Sequence, residues 1–162
     1  MIEAYTIRLT NCNEVVLLDE ADYLEYKMYY WSKGSGGYAV KAFRVGSNRW
    51  RPKALHKFLM GDLGIVDHIN GDRLDNRRAN LRVTNRTGNN RNTGKKKNGT
   101  SSFKGVGRYR GRWRARIMVN RKEIHLGAFL NEQQAALAYN KAAMMYFGEF
   151  ARVNVLVSNG DA

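Results

Sequence analysis

The 162 residues predict an α+β chain of two small domains joined by a basic tether, and three observations predict it. Short β-forming segments between Gly and Asn breaks fill the first half. Composition changes abruptly at Thr93, where TGKKKNGTSS (Thr93 to Ser102) runs without one apolar residue. A second alternating stretch then leads into a run with helical spacing. The expected division is therefore 1–92, a tether over 93–102, and a second domain over 103–157.

In the first part, TIRLT, EVVLLD and GYAVKAFRV read as strands of a small sheet. The stretch Asp22 to Trp31, DYLEYKMYYW, suits a short helix or a core turn, its aromatics assigned to packing rather than base stacking. Next comes VDHINGDRLDNRRANLRVTNRTGNN, from Val66 to Asn90. Asp67 and His68 end an apolar stretch (Leu63, Ile65, Val66), and Asn70-Gly71 favours a two-residue type I′ hairpin turn. Asp75-Asn76 opens an irregular turn, and Thr84 is placed to N-cap a short helix whose second turn carries Asn89. Strand, strand and helix would then face Asp67, His68 and Asn89 towards one point.

The ordered elements DH, NG, LDN, NLR and a further Asn, with LHK at Leu55-His56-Lys57 ahead of them, resemble the HNH family of ββα-metal nucleases. The match is to the phage homing-endonuclease branch, in which the third signature residue is asparagine, and it covers Leu55 to Asn92. Residues 1–66 resemble the lead-in of that branch more loosely. The resemblance implies that His68 is the general base, that Asp67 and Asn89 hold one divalent metal, and that Asn80 braces the hairpin against the helix. It further implies that the metal stabilises the pentacovalent phosphate and leaving 3′ oxygen while His68 activates water. The residue chemistry agrees: imidazole suits proton abstraction near neutral pH. Mg²⁺, with Mn²⁺ as a possible substitute, takes oxygen ligands, often only one or two of them from protein. An EF-hand loop is excluded because Ile69 and Gly71 stand where acids or amides are needed. A single cysteine, Cys12, excludes an internal disulfide and a Cys₂His₂ or Cys₄ zinc site. His56 is expected to pack or orient the hairpin rather than bind metal.

Charge is segregated. Residues 1–43 carry 4 basic and 6 acidic side chains, 44–122 carry 22 and 4, and 123–162 carry 2 and 4, so the whole excess of +14 lies in the middle. Such a stripe suits phosphate binding, and double-stranded DNA is the expected partner. A membrane partner is not expected, since there is no long apolar run and no basic amphipathic helix. The opening MIEAYTIRLT lacks a charged-then-apolar signal pattern, so a cytoplasmic location is expected.

Beyond the tether, FKGVGRYRGRWRARIMV and RKEIHLGAF read as three strands divided at Gly111 and Asn120-Arg121, with arginine on one face and apolar residues on the other. Asn131 with Gln134 reads as a capping box, and Ala135, Ala138, Tyr139, Ala142 and Tyr146 recur at helical spacing before Gly148. A three-stranded antiparallel sheet packed on one helix follows. From Lys104 to Asn154, the elements KGV, WRARI, HLGAF, EQQAALAYNKAA and YFGEFARVN resemble the AP2/ERF (ethylene-response-factor) DNA-binding domain of plant transcription factors, also found fused to phage HNH nucleases. That resemblance implies a sheet lying in the major groove, with Lys104, Arg114 and Arg116 in contact positions and Arg108, Arg110 and Arg112 reaching phosphates. Trp113 matches a core aromatic. His125 stands where the plant proteins usually have tryptophan, and Gly107 and Met118 where they usually have arginine, so the plant target sequence does not carry over. Lys95, Lys96 and Lys97 in the tether join the DNA-binding set.

Together the two resemblances imply a metal-dependent DNA endonuclease of homing or mobile type, cutting near a site chosen by its second domain. The alternative is a sequence-specific DNA-binding regulator with an inactive HNH scaffold. Oligomeric state stays open, a monomer being the simpler expectation.

Overall fold

The computed structural model describes residues 5–61, 63–95 and 99–156, which divide into two units, 1–89 and 90–162. Lys96 and Lys97, two of the expected DNA contacts, lie outside the described residues, as does Val157 at the expected end of the second domain.

In the first unit, β1 (Tyr5–Arg8) pairs antiparallel with β2 (Val15–Leu18), and α1 (Glu20–Tyr26) follows. A second sheet is formed by β3 (Ser32–Lys33), β4 (Ala39–Val45) and β5 (Arg49–Ala54), in that order. The expected single sheet is thus two separate ones. Their apolar faces meet in a core of Ile7, Leu9, Val16, Leu18, Trp31, Ala39, Leu55, Leu59, Val66 and Leu81. Tyr26 and Phe58 stack on Trp31 at 6.2 and 5.7 Å, which bears out packing for the inner aromatics. Tyr30, by contrast, is 86% exposed. The LHK element opens α2 (Leu55–Leu59), which buries Leu55, His56 and Leu59.

Strands β6 (Ile65–His68) and β7 (Leu81–Thr84) pair in register, His68 opposite Leu81 and Ile65 opposite Thr84. Helix α3 (Arg86–Asn92) completes strand, strand, helix. Two local expectations are corrected. The connection between β6 and β7 is the twelve-residue loop 69–80, not a two-residue turn. Asn70 lacks the positive φ that a type I′ turn requires, and the Gly71 N–H bonds instead to the His68 carbonyl at 2.9 Å. Helix α3 is capped by Asn85, whose Oδ1 accepts from the Gly88 N–H at 2.9 Å, because Thr84 is engaged in the β7 ladder.

The second unit holds β8 (Val106–Tyr109), β9 (Arg112–Val119) and β10 (Lys122–Phe129), antiparallel in the order β10-β9-β8, with α4 (Glu132–Phe147) on one face. Arg110-Gly111 and Asn120-Arg121 all have positive φ, giving the tight turns read at those places. Ala115 and Ile117 are buried, and Ile117 forms one core with Tyr139, Ala142, Ala143 and Phe147. Phe147 takes the core place expected of Tyr146, which is exposed. Asn131 caps α4 through the Gln133 N–H at 2.7 Å, so the capping bond runs to Gln133 rather than through Gln134. Gly105, at φ +77, accepts from the Arg116 N–H at 2.8 Å; any Cβ there would overlap the Tyr139 ring and sit 2.7 Å from the Arg116 carbonyl.

The last residues of the expected tether fold onto this unit. Ser101 is buried and donates to Glu132 at 2.6 Å, and Thr100 Oγ1 accepts from the Arg108 N–H at 3.1 Å.

Candidate active site and nucleic-acid face

β6 delivers Asp67 and His68 as consecutive residues, and both are buried. In a strand, neighbours point to opposite faces, and their partners differ accordingly. On one side, Arg82 lies across the ladder from Asp67 and donates to its Oδ2 from Nε at 3.1 Å and Nη2 at 2.8 Å. On the other, His68 Nε2 stands 3.5 Å from Asn76 Oδ1. A carboxamide oxygen only accepts, so this contact favours the tautomer with hydrogen on Nε2. Burial pushes the His68 imidazole below its ordinary value, with Asn76 and the carboxylates of Asp67, Asp72 and Asp75 opposing it. Its resting form is therefore the neutral ring a general base needs.

Loop 69–80 is a polar scaffold that fixes this geometry. Asn70 Oδ1 accepts from the Asp72 N–H and Asp72 Oδ1 from the Leu74 N–H, at 2.8 and 2.9 Å. Asn80 accepts from the Asn70 N–H at 3.0 Å and donates to Asn70 Oδ1 and the Asp75 carbonyl at 3.0 and 2.7 Å. Asn80 thus closes the loop onto itself rather than bracing the hairpin against α3. Asp75 receives the Arg77 fork at 2.8 and 2.7 Å and Asn70 Nδ2 at 2.9 Å, and the arginine holds its carboxyl below the usual range. The loop docks on β2, with Leu17 N–H on Leu74 O at 2.8 Å and Asn76 N–H on Leu17 O at 2.9 Å. Arg78 forks onto buried Asp22 of α1 at 2.8 and 2.9 Å.

Sequence reading missed Asn76 and Arg82 as parts of this site; His56 it expected to pack or orient the hairpin. His56 is 6% exposed, with its Nδ1 lacking a hydrogen-bond partner among the described residues, and its ring stands 5.2 Å from that of His68. Tyr38 closes the group, 5.0 Å from His56 and 5.7 Å from His68, with the Arg73 guanidinium 4.8 Å over it. LDN carried the signal for Asn76, and cross-strand pairing with Asp67 would have indicated Arg82.

Asn89 lies half-buried in the second turn of α3, its N–H bonded to Asn85 O at 3.0 Å. No cluster of three His, Cys, Asp or Glu suited to a metal occurs among the described residues. A site built on one carboxylate and one amide oxygen is of the sparse, hard-oxygen kind that Mg²⁺ accepts, so the donor chemistry fits.

On the second unit, Arg112 and Arg116 are exposed on the sheet face away from α4, and His125 is exposed directly opposite Arg116. Arg114 is half-buried over the Tyr109 ring at 5.1 Å, and Arg108 stacks on Trp113 at 4.2 Å. Arg110 sits in the first turn, 5.4 Å over Tyr109. Arg116 pairs with Glu123 at 2.7 Å. Two lysines of the expected set turn elsewhere. Lys95 donates to Ser101 O at 3.0 Å, and Lys104 donates to Arg91 O at 2.6 Å. Burial, with the charge of Arg152, pushes Lys104 down to about 8.

The model of the HNH endonuclease family matches residues 63–91, the segment running from β6 to α3. An uncharacterized HNH endonuclease of Acanthamoeba polyphaga mimivirus is 31% identical over 136 residues, covering 78% of this chain and 67% of the viral protein. An ethylene-responsive transcription factor of Arabidopsis thaliana is 40% identical over 65 residues, 38% of this chain and 15% of the factor. An APETALA2-like protein of Oryza sativa subsp. indica is 42% identical over 59 residues, 35% of this chain and 14% of the plant protein. The chain thus spans only a small part of these plant relatives. No helix among the described residues is long and apolar enough to cross a membrane.

Proposed function

Because this chain belongs to the HNH endonuclease family, we propose that it is a metal-dependent DNA endonuclease of homing or mobile type, acting near a site selected by its second unit. The observation that carries this reading is the imidazole of His68, buried on β6 and held below its ordinary value by that burial, beside a carboxylate and followed by a strand and a helix. Asp67 and Asn89 are the residues that would hold Mg²⁺ or Mn²⁺, which when bound would polarise the scissile phosphate and stabilise the leaving oxygen. His68 takes the proton of the attacking water, and Asn76 holds its ring. Loop 69–80 with Asn80 keeps both at fixed positions.

Double-stranded DNA is the partner on charge grounds, with Arg112, Arg114, Arg116 and His125 on the sheet face and Arg108 and Arg110 at its first turn. The likeness to plant ethylene-responsive and APETALA2-like proteins supports the same assignment.

The Arg82–Asp67 pair favours a second reading, in which the carboxylate is occupied by arginine and the protein binds DNA as a regulator without cutting. Incubating the full chain with supercoiled plasmid, with Mg²⁺ and with chelator, separates the two. Nicked or linear product that depends on metal supports the nuclease. Retained DNA with no product supports the regulator.

A further inference from the structure

The buried polar side chains of the first unit meet their partners closely. Asp22 takes the Arg78 fork, Asp75 takes that of Arg77, and Asn80 is bonded to the Asn70 N–H, Asn70 Oδ1 and the Asp75 carbonyl. The exception is Nδ1 of His56, buried and without a hydrogen-bond partner among the described residues. An orphan of this kind costs about 1 to 3 kcal/mol, and native proteins leave few of them. Phenylalanine at the same place on α2 would avoid the cost, because the ring's neighbours, Tyr38 at 5.0 Å and His68 at 5.2 Å, ask only for an aromatic surface.

The orphan lies beside the proposed base. His68 carries its hydrogen on Nε2, towards Asn76 Oδ1 at 3.5 Å, so the lone pair that takes a proton is on its Nδ1. Burial, then the charges of His68 and Lys57, push His56 down to about 4, so near neutral pH its ring is uncharged and one of its nitrogens also carries a lone pair. A water about to be deprotonated has two hydrogens. With one of them bonded, the molecule still turns about that bond; with both bonded, the oxygen lone pair has a fixed direction. Two hydrogen bonds of about 2.9 Å each span about 5.8 Å, the scale of two rings whose centres stand 5.2 Å apart.

We propose that His56 Nδ1 accepts the second hydrogen of the attacking water, so that His56 and His68 hold that water between them. The inference rests on the reading of His68 as general base. One proton of the water passes to His68, and the electron pair of that O–H bond goes to the new bond from oxygen to phosphorus. The bond from phosphorus to the leaving oxygen breaks, and that oxygen departs with its electron pair. The hydrogen on the His56 side stays on the oxygen that joins the phosphate. His56 therefore orients the water and moves no proton. Tyr38, packed on both rings at 5.0 and 5.7 Å, keeps their spacing.

The test separates the two nitrogens of His56. Nδ1 and the amide group of asparagine are both bonded to Cγ, whereas glutamine carries its amide one atom further out, at the place of Nε2. In the full chain, with supercoiled plasmid and Mg²⁺, His56→Phe should lower kcat by about 10², the scale of a misplaced reactant, and leave KM for DNA unchanged. His56→Gln should do the same, and His56→Asn should restore most of the lost rate. A packing role alone predicts the opposite order, phenylalanine best and asparagine worst, and that order overturns the proposal. Long-range nitrogen–proton NMR of the parent, which needs no variant to fold, should show His56 Nδ1 without a hydrogen. A hydrogen found on Nδ1 overturns the proposal by itself. Equal kcat in the parent and all three variants also overturns it while leaving His68 as the base. A parent that does not cleave at all refutes the functional reading instead.

Discussion

The imidazoles of His56 and His68 stand edge to face, ring centroids 5.2 Å apart and planes at 89°. Each comes from a different element, α2 and β6, and both are buried. Burial, with the charges of His68 and Lys57, pushes His56 down to about 4. A depressed histidine pKa means that the unfolded chain binds the proton first, so stability is full above 6.5 and falls as pH drops from 6.5 towards about 4. At about 1.4 kcal/mol per pH unit, the loss assigned to His56 reaches at most about 3.5 kcal/mol. Urea unfolding at pH 7.5 and pH 5 should show this loss in the parent and a smaller one in His56→Phe. An equal loss in both would remove His56 as its cause.

His68→Ala should cut plasmid cleavage by about 10² to 10⁴, the usual worth of a general base, while DNA affinity measured by gel shift stays at the parent level. Cleavage near the parent rate would place the base elsewhere.

The contact with Asn76 opposes burial at His68, so Asn76→Ala should lower the His68 pKa further. A base works when deprotonated, so activity fails as pH falls through that pKa. The acid limb of the cleavage profile should therefore move to lower pH in Asn76→Ala, with a reduced plateau from a less well-held ring. A limb displaced upward, or one unmoved with a full plateau, would contradict the assigned contact.

Asp67 and Arg82 are 7% and 13% exposed at their side chains and form a bidentate contact at one oxygen. Removing one partner of such a pair leaves a buried charge and costs about 3 to 5 kcal/mol. Asp67→Ala should therefore lower thermal stability as well as raise the metal concentration needed for cleavage, whereas Asn89→Ala, with no charge to strand, should raise the metal requirement alone. Metal titrations of cleavage alongside melting curves distinguish the two effects. Unchanged titrations for both variants would refute the ligand assignment.

Gly105→Ala should destabilise the second unit by more than about 2 kcal/mol, because it adds both a positive-φ strain and an overlap with Tyr139. A calorimetric scan should show the affected transition falling. An unchanged scan would mean that the backbone can move away from the ring.

Patterns with a short reach were legible without coordinates. Alternation marked β9 and β10, Gly111 and Asn120-Arg121 marked their turns, and Asn131 marked the start of α4. The DH, NG, LDN and NLR elements marked the region of β6, β7 and α3, because each restricts its own backbone. The twelve-residue loop was misread as a hairpin turn for the same reason. Asn70-Gly71 has the right local preference, but Asn80, Asp75 and the β2 backbone bind the segment from outside it.

By itself, then, the sequence determined the α+β class, the order of elements, the placement of Asp67 and His68 at a strand end, and the arginine-rich sheet face. All of these follow from propensity and spacing along a few residues. Only tertiary structure decided that Arg82 covers Asp67, that Asn76 holds His68, that His56 and Tyr38 stack beside it, and that Lys104 turns in to Arg91 O. Those partners meet through pairing registers and buried packing between elements, and a side chain's partner across a fold depends on desolvation and geometry that no local pattern encodes.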